Sequence, residues 1–127
     1  IHEISVEDID KEGIGKAVEN GIRTIIEELD KPDIYFLVDG RFKNLEKKNV
    51  KSIIGGDDKV YSIGAASICA KVFRDRLMME LGKKYSEYGF ENHVGYGTKK
   101  HSDAIKKYGV TEIHRRSFKP IKNYLSS

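Results

Sequence analysis

The sequence predicts an α/β fold with helices packed on a sheet, and three observations support this prediction. Residues 34–40, IYFLVDG, form an almost wholly apolar run that ends at Asp-Gly, which is typical of a strand buried on both faces. An apolar stripe of helical period precedes this run. A second short strand candidate, VKSII at 50–54, follows it and leads into a long helical stretch. Strands and helices in this order favour helices layered on a sheet.

The first forty residues justify a strand, a helix and a second strand. Residues 1–6, IHEISV, alternate between apolar and polar, as a half-buried strand does. Ser5 and Asp8 have a spacing that resembles a capping box, so a helix is expected to begin there and to end near Pro32. Its buried stripe is predicted to consist of Ile14, Val18, Ile22, Ile25 and Leu29.

The second half of the chain is predicted to be mostly helical. Gly55-Gly56 closes the strand at 50–54, and a long helix is expected from about Lys59 to Lys84. Residues 89–100, GFENHVGYGTKK, are expected to form a glycine-spaced loop. Thr98 is predicted to cap a helix that runs through Tyr108 and ends at Gly109. TEIHRRSF at 111–118 is a turn or short helix, and Pro120 opens a last turn.

Length and composition set limits on the class of protein. A chain of 127 residues has room for one domain, which we expect to span residues 1–127. Cys69 is the single cysteine, which excludes a disulfide within the chain and favours a reducing cytoplasm. No apolar run approaches the roughly 20 residues of a membrane span, so no membrane partner is expected. The chain begins at Ile1 rather than Met, and we expect a piece of something longer.

The net charge of +3 conceals two regions of opposite sign. Residues 1–39 carry 4 Lys and Arg against 11 Asp and Glu, whereas residues 40–127 carry 19 against 9. This asymmetry indicates a polyanionic partner, because clustered cations displace the counterions of phosphates. A lysine-rich surface that serves solubility is the alternative.

Four polar side chains in apolar surroundings are candidates for chemistry. Asp39 ends an apolar strand, where ligands of open α/β sheets collect, although an Asp-Gly turn explains it equally. Ser67, Lys71 and Asp75 recur at steps of four on a predicted helix, and the other residues between 63 and 73 are all small or apolar. They form one row, which is either the wall of a polar site or a narrow solvent face with an i, i+4 ion pair.

Other polar residues give weaker signals. Asp57 and Asp58 suit the cap and first turn of a helix better than direct chemistry. Tyr96 lies between two glycines beside Lys99 and Lys100, and it either stacks on a sugar or base or packs against the core. The GYGTKKH stretch lacks the spacing of a P-loop, and its histidine and His93 lack that of a zinc site.

Four motifs in this order resemble those of ribonuclease HII, the type 2 ribonuclease H family. They are VDG at 38–40, GGDDKVYSIGAASICAKVFRD at 55–75, GYGTKKH at 95–101 and IHRRSF at 113–118. EDIDKEGIGKA at 7–17 is similar to the family's first large helix. The resemblance implies a ribonuclease H-like α/β fold and an endonuclease that hydrolyses the RNA strand of RNA–DNA hybrids and nicks DNA at embedded ribonucleotides.

The resemblance also implies roles for individual residues. Asp39 and Asp75 match two of the family's four carboxylates, which bind two Mg²⁺ or Mn²⁺ ions. Tyr96 matches the tyrosine that packs on the sugar at the RNA-to-DNA junction, and the helix is expected to be buried except for its polar row. The other residues expected at the substrate are Ser67, Lys71, Lys99 and Arg115.

One part of the family pattern has no match in the chain. The family begins with a strand that carries Asp-Glu-Ala-Gly-Arg-Gly and supplies the other two carboxylates, and residues 1–38 contain no such motif. The chain therefore resembles the last three fifths of the family's domain, with a partial sheet. Two functions stay open: an endoribonuclease that needs the N-terminal segment of its own domain, or a non-catalytic basic or complementing module.

Overall fold

A computed structural model of the protein describes residues 1–126, so Ser127, the last residue of the predicted domain, lies outside it. The described residues contain seven α-helices and a sheet of two parallel strands. The helices are α1 (Val6–Glu12), α2 (Ile14–Leu29), α3 (Gly56–Lys59), α4 (Tyr61–Lys84), α5 (Phe90–His93), α6 (Lys99–Tyr108) and α7 (Lys119–Leu125). The strands are β1 (Phe36–Asp39) and β2 (Val50–Ile53). Short 3₁₀ turns lie at Lys43–Leu45 and Ser86–Tyr88.

The chain divides into two compact units, residues 1–69 and residues 70–127, with the division inside α4. The first unit has a core of Ile26, Leu45 and Val50. In the second unit the core consists of Met78, Tyr88, Phe90, Ala104, Ile105 and Ile121. The assignment of residues 1–127 to a single domain stays a prediction.

The two predicted buried strands form and pair with each other. Phe36 lies opposite Val50 and Asp39 opposite Ile53 in parallel register, with α3 following directly after β2. The prediction that the first of them is buried on both faces is wrong, because Leu37 is 37% exposed and Asp39 is exposed. Phe36 and Val38 pack against the core of the first unit, so the described residues cover one face of β1.

The prediction of a strand at residues 1–6 is wrong. Ser5 is the N-cap of α1, and its hydroxyl oxygen accepts a hydrogen bond from the Asp8 N–H at 3.0 Å. The predicted cap therefore forms, and the alternating residues before it lead into a helix instead of a sheet. The single helix expected from Ser5 to Pro32 is two helices, because Gly13 adopts φ +81° between α1 and α2.

Most of the predicted C-terminal elements are confirmed. The Thr98 hydroxyl caps α6 by accepting the His101 N–H at 3.2 Å, and Gly109 ends the helix with φ +87°. Pro120 lies in the first turn of α7. The long helix begins at Tyr61, two residues after the predicted start, and the expected loop at 89–100 contains the one-turn helix α5.

Candidate active site

Asp39 ends β1, where the backbone turns sharply at Gly40 with φ +116°. The Gly40 N–H donates to the Ile53 carbonyl at 2.9 Å, which extends the strand pairing by one residue. One carboxylate oxygen of Asp39 accepts the Gly56 N–H at 2.7 Å. The Asp-Gly turn and the exposed carboxylate are therefore both present, and β2 and α3 fix the position of that carboxylate.

The acidic residues after Gly55 lie in the first turn of α3, as predicted. The N-cap itself is Gly55, with φ +63°, and neither Asp57 nor Asp58 makes a side-chain capping bond. Both side chains are exposed. They complement the positive end of a helix of only four residues, which supports a structural role.

The polar row of α4 contains an ion pair. Lys71 donates to Asp75, and the two side chains are 73% and 31% exposed respectively. The hydrogen bond from Lys71 to Asp75 and the charge of Asp75 raise the pKa of Lys71 above its ordinary value. Lys71 is thus held in its charged form, and Asp75 is the less exposed of the two.

The expectation that α4 is buried except for this row is wrong for the described residues. Ile68 is 65% exposed, Val72 and Phe73 are also exposed, and so is Ser67 in the polar row. The sequence pattern indicates a helix surrounded by protein, whereas every residue from 65 to 73 is exposed among the described residues. The helix thus presents apolar side chains at its surface between Ala65 and Phe73.

Tyr96 extends from a tight loop at residues 94–98, the Tyr96 loop, whose backbone forms several hydrogen bonds. Its side chain is 70% exposed, its N–H donates to the His93 carbonyl at 2.8 Å, and its carbonyl accepts the Thr98 N–H at 2.8 Å. Val94 and Gly95 both adopt positive φ, at +43° and +83°. The ring is therefore presented outward and does not pack against the core.

The two remaining predicted substrate residues are cationic and lie near the surface of the second unit. Lys99 is exposed at the first position of α6. Arg115 is half-buried, and its guanidinium lies over the Phe118 ring at 4.7 Å from the centroid. The stacking limits the conformational freedom of the Arg115 side chain, whose N–H donors lie in the plane of the guanidinium.

Sequence reasoning did not single out Arg74, which supports the Tyr96 loop. Its guanidinium donates to the Val94 carbonyl at 3.3 Å. It also lies close to Gly95, where an added Cβ would be 3.6 Å from the guanidinium nitrogen. The residue lies immediately before Asp75, inside the motif that carried the resemblance. Its position directly before a motif carboxylate is a local signal that could have pointed to it. Its contact with the Val94 carbonyl joins residues 20 positions apart, which no local pattern shows.

Within residues 1–126, no group of three or more His, Cys, Asp or Glu side chains is arranged to hold a metal ion. Asp39 and Asp75 nevertheless offer the hard oxygen ligands that Mg²⁺ and Mn²⁺ prefer. The predicted convergence of these two carboxylates joins residues of different units and stays a prediction.

Comparison with known proteins identifies the family. The family model described as ribonuclease HII matches residues 1–121. The chain belongs to the ribonuclease HII family. This membership confirms the resemblance and the α/β, ribonuclease H-like fold, of which the described residues contain two parallel strands and their helices.

Curated members of the ribonuclease HII family match nearly the whole chain. The protein named ribonuclease HII from Bacillus cytotoxicus is 45% identical over 98% of this chain and 48% of its own length. Its namesakes from Wolbachia of Drosophila simulans and from Chloroherpeton thalassium are 48% and 46% identical, over 61% and 59% of their lengths. The chain thus spans about half to three fifths of the relatives that it matches. Among the described residues, no helix is long and apolar enough to cross a membrane.

Proposed function

We propose that the protein provides part of the active site of a type 2 ribonuclease H. In this proposal the complete enzyme hydrolyses the RNA strand of RNA–DNA hybrids and nicks DNA at embedded ribonucleotides. The supporting observation is the family match over residues 1–121, together with the positions of its two motif carboxylates, of which Asp39 is exposed and Asp75 half-buried. Asp39 lies at the carboxyl end of a parallel strand, and Asp75 lies beside a lysine on α4.

The two carboxylates are proposed as metal ligands. Asp39 is held by the Gly56 N–H through one oxygen, and Asp75 by Lys71, so each group has a fixed partner before a metal arrives. Divalent ions bound there would supply activation of the attacking water and stabilisation of the departing 3′ oxygen. Lys71 orients Asp75 through its hydrogen bond, and its ammonium group can also contact a phosphate of the substrate.

The Tyr96 loop and the surrounding cations are proposed to bind the hybrid. An exposed aromatic ring on a rigid loop can pack on a sugar, and selection for RNA requires a group that senses the 2′-hydroxyl. Lys99 and Arg115 belong to the unit with the basic charge, and Ser67 extends the polar row toward the start of α4. These residues are proposed to contact the phosphates and sugars without reading the sequence.

The catalytic site is proposed to be completed by the N-terminal segment of its own domain. The relatives are longer than this chain, and within residues 1–126 β1 pairs with a strand on one edge only. The exposed apolar side chains of α4 provide a surface that a further strand of the sheet would cover. The proposed occupant is the family's strand with Asp-Glu-Ala-Gly-Arg-Gly, which brings the two additional carboxylates.

A cleavage assay tests this function. We expect the 127-residue chain alone to cut an RNA–DNA hybrid negligibly in Mg²⁺ or Mn²⁺, because half of the ligand set is missing. The chain mixed with a peptide that supplies the Asp-Glu-Ala-Gly-Arg-Gly strand, or joined to it, should cut the hybrid. In that complete form, Asp39→Asn and Asp75→Asn should each remove most of the rate.

The matched control is Asp103→Asn, an exposed aspartate on α6 that lies outside the four motifs. It should leave the cleavage rate unchanged. Robust cleavage by the chain alone that survives Asp75→Asn would place the active site elsewhere.

The second candidate is a non-catalytic, phosphate-binding module, and the charge of the second unit favours it. Residues 70–127 carry 13 Lys and Arg against 6 Asp and Glu. Binding of the hybrid without cleavage, even with the complementing strand present, would support this candidate. For either function we propose a cytoplasmic location, because the single free Cys69 is typical of a reducing compartment.

A further inference from the structure

Three histidines lie buried together in the second unit, outside the proposed metal site. His93, His101 and His114 are each 6–7% exposed. The rings of His93 and His101 stack with centroids 4.7 Å apart, and Nε2 of His101 lies 3.2 Å from Nε2 of His114. Phe90 packs edge-on against His101, with ring centroids 5.4 Å apart.

Backbone donors fix the proton positions of this cluster. The Thr111 N–H donates to Nδ1 of His114 at 3.1 Å, so that nitrogen carries no proton in the neutral ring. The proton of His114 is therefore on Nε2, where it is donated to Nε2 of His101. His101 must then carry its own proton on Nδ1, which lies 3.0 Å from the Tyr96 carbonyl oxygen.

The result is a one-way chain of hydrogen bonds from Thr111 through two imidazoles to the Tyr96 loop. His93 supports the same loop independently. Its Nδ1 accepts the Gly95 N–H at 3.3 Å, and its Nε2–H donates to the Tyr88 carbonyl at 2.9 Å. Gly95 and Tyr96 are thus each hydrogen-bonded to a buried imidazole.

We propose that His101 and His114 are positioning residues that fix the Tyr96 loop, and that the loop is released when the pair takes up a proton. The release follows from the donor pattern. A proton added to Nδ1 of His114 would face the Thr111 N–H at 3.1 Å, and its one acceptor among these contacts would be the Thr111 hydroxyl oxygen at 2.8 Å. A proton added to Nε2 of His101 would face the N–H of His114. Each protonation sets two donors against each other in a buried site.

The electrostatic surroundings favour the neutral pair. Burial, together with the charge of His101, lowers the pKa of His114 to about 4, and burial lowers the pKa of His101. The titratable groups that face the pair are His93 from α5 and Tyr88 from the 3₁₀ turn, whose ring centroid lies 5.3 Å from that of His114. Arg115, next in the chain, lies over Phe118.

The sign of the pH effect follows from these directions. Because the pKa of His114 is lower in the folded chain than the ordinary value of 6.5, its neutral form stabilises the fold fully above that value. The contribution is lost as the pH falls from about 6.5 toward about 4.

Nuclear magnetic resonance of the 127-residue chain tests the proposal. The ¹⁵N shifts of the imidazoles should show the Nδ1–H tautomer for His101 and the Nε2–H tautomer for His114 near pH 7. Amide exchange of Tyr96 and Thr98, corrected for intrinsic rates, should accelerate about tenfold between about pH 7 and pH 4.5. The Gly109 amide, which ends α6, should accelerate much less over this range.

Matched variants separate positioning from packing. His114→Gln places an amide N–H where Nε2 was, and it should keep the Tyr96 loop protected at neutral pH. His114→Leu has a similar size without a donor, and it should raise the exchange rates of Tyr96 and Thr98 about tenfold at neutral pH. His2→Gln, at an exposed histidine of the first unit, is the control and should change neither rate.

The proposal fails if His101 carries its proton on Nε2 or if exchange of the two amides is independent of pH. Equal acceleration at Gly109 would also overturn it, because general unfolding would then explain the effect. The consequence for hybrid binding rests on the proposed function. We expect the complete form to bind the hybrid more weakly at low pH. If the tautomers and the amide exchange agree with the prediction but the hybrid does not bind at any pH, only the proposed function is refuted.

Discussion

Gly56 shows how one residue without a side chain fixes a candidate metal ligand. Its N–H holds the Asp39 carboxylate at 2.7 Å. A Cβ at this position would lie 2.7 Å from Cδ1 of Ile63 and 3.3 Å from the Asp39 oxygen. The close approach of α3 to the end of β1 thus depends on glycine, because a methyl group has no room there.

We predict that Gly56→Ala lowers the free energy of unfolding by about 1–3 kcal/mol, because the added methyl group overpacks the contact with Ile63. Gly15→Ala is the matched control, since a Cβ at this position of α2 meets no atom within 4 Å. That change should stabilise the helix by about 0.5–1 kcal/mol. Urea denaturation of the two variants measures both effects, and equal values would refute the packing account.

At the scale of elements, α4 combines a buried isoleucine near its start with an exposed apolar middle. Ile63 is buried and packs by Gly56, whereas Ile68 is 65% exposed. An exposed run of large apolar side chains on a helix is typical of a surface that another segment covers. This contrast gives α4 two kinds of isoleucine, one serving the fold of the first unit and one available for the proposed complementing strand.

We predict opposite outcomes for substitutions of these two residues. Ile63→Ala should lower the free energy of unfolding by about 2–5 kcal/mol, because it leaves a cavity. Ile68→Asp should change it by less than about 0.5 kcal/mol, because the side chain is already exposed. The aspartate should nevertheless prevent activation by the complementing strand in the cleavage assay. Full activation of Ile68→Asp would show that this part of α4 stays uncovered.

At the scale of the whole molecule, the two units differ in the sign of their charge. Residues 1–69 carry 10 Lys and Arg against 14 Asp and Glu, and residues 70–127 carry 13 against 6. The acidic unit lowers the net charge of the chain to +3, so the net value understates the local field of the basic unit. Affinity for nucleic acid is therefore expected to come from the second unit.

We predict that hybrid binding weakens steeply with salt, with a log–log slope of about −0.9 for each phosphate neutralised on duplex DNA and somewhat less on hybrid. Lys99→Gln should reduce the slope by roughly one such contact. Lys16→Gln, an exposed lysine of the acidic unit, is the control and should leave the slope unchanged. Fluorescence anisotropy over a salt series measures the slope, and a flat response would assign the lysines to solubility.

The elements that depend on local pattern were predictable from the sequence. The period of the apolar residues indicated α2 and the two strands, and the caps Thr98 and Gly109 marked the ends of α6. These signals operate within a few residues, so they need no knowledge of the tertiary structure. The alternation at residues 1–6 misled for the same reason, since a strand also requires a pairing partner that no local pattern supplies.

The sequence by itself determined the family, the fold class and the residue types of the candidate site, because the family's motifs are contiguous. Tertiary structure alone decided that Gly56 holds Asp39, that α4 is exposed in its middle, and that three histidines share one buried cluster. The bond between Gly56 and Asp39 and the contacts among the histidines join residues that are 8 to 17 positions apart, through directional hydrogen bonds and ring stacking. Such contacts have no period in the sequence, and only the folded chain brings their atoms within bonding distance.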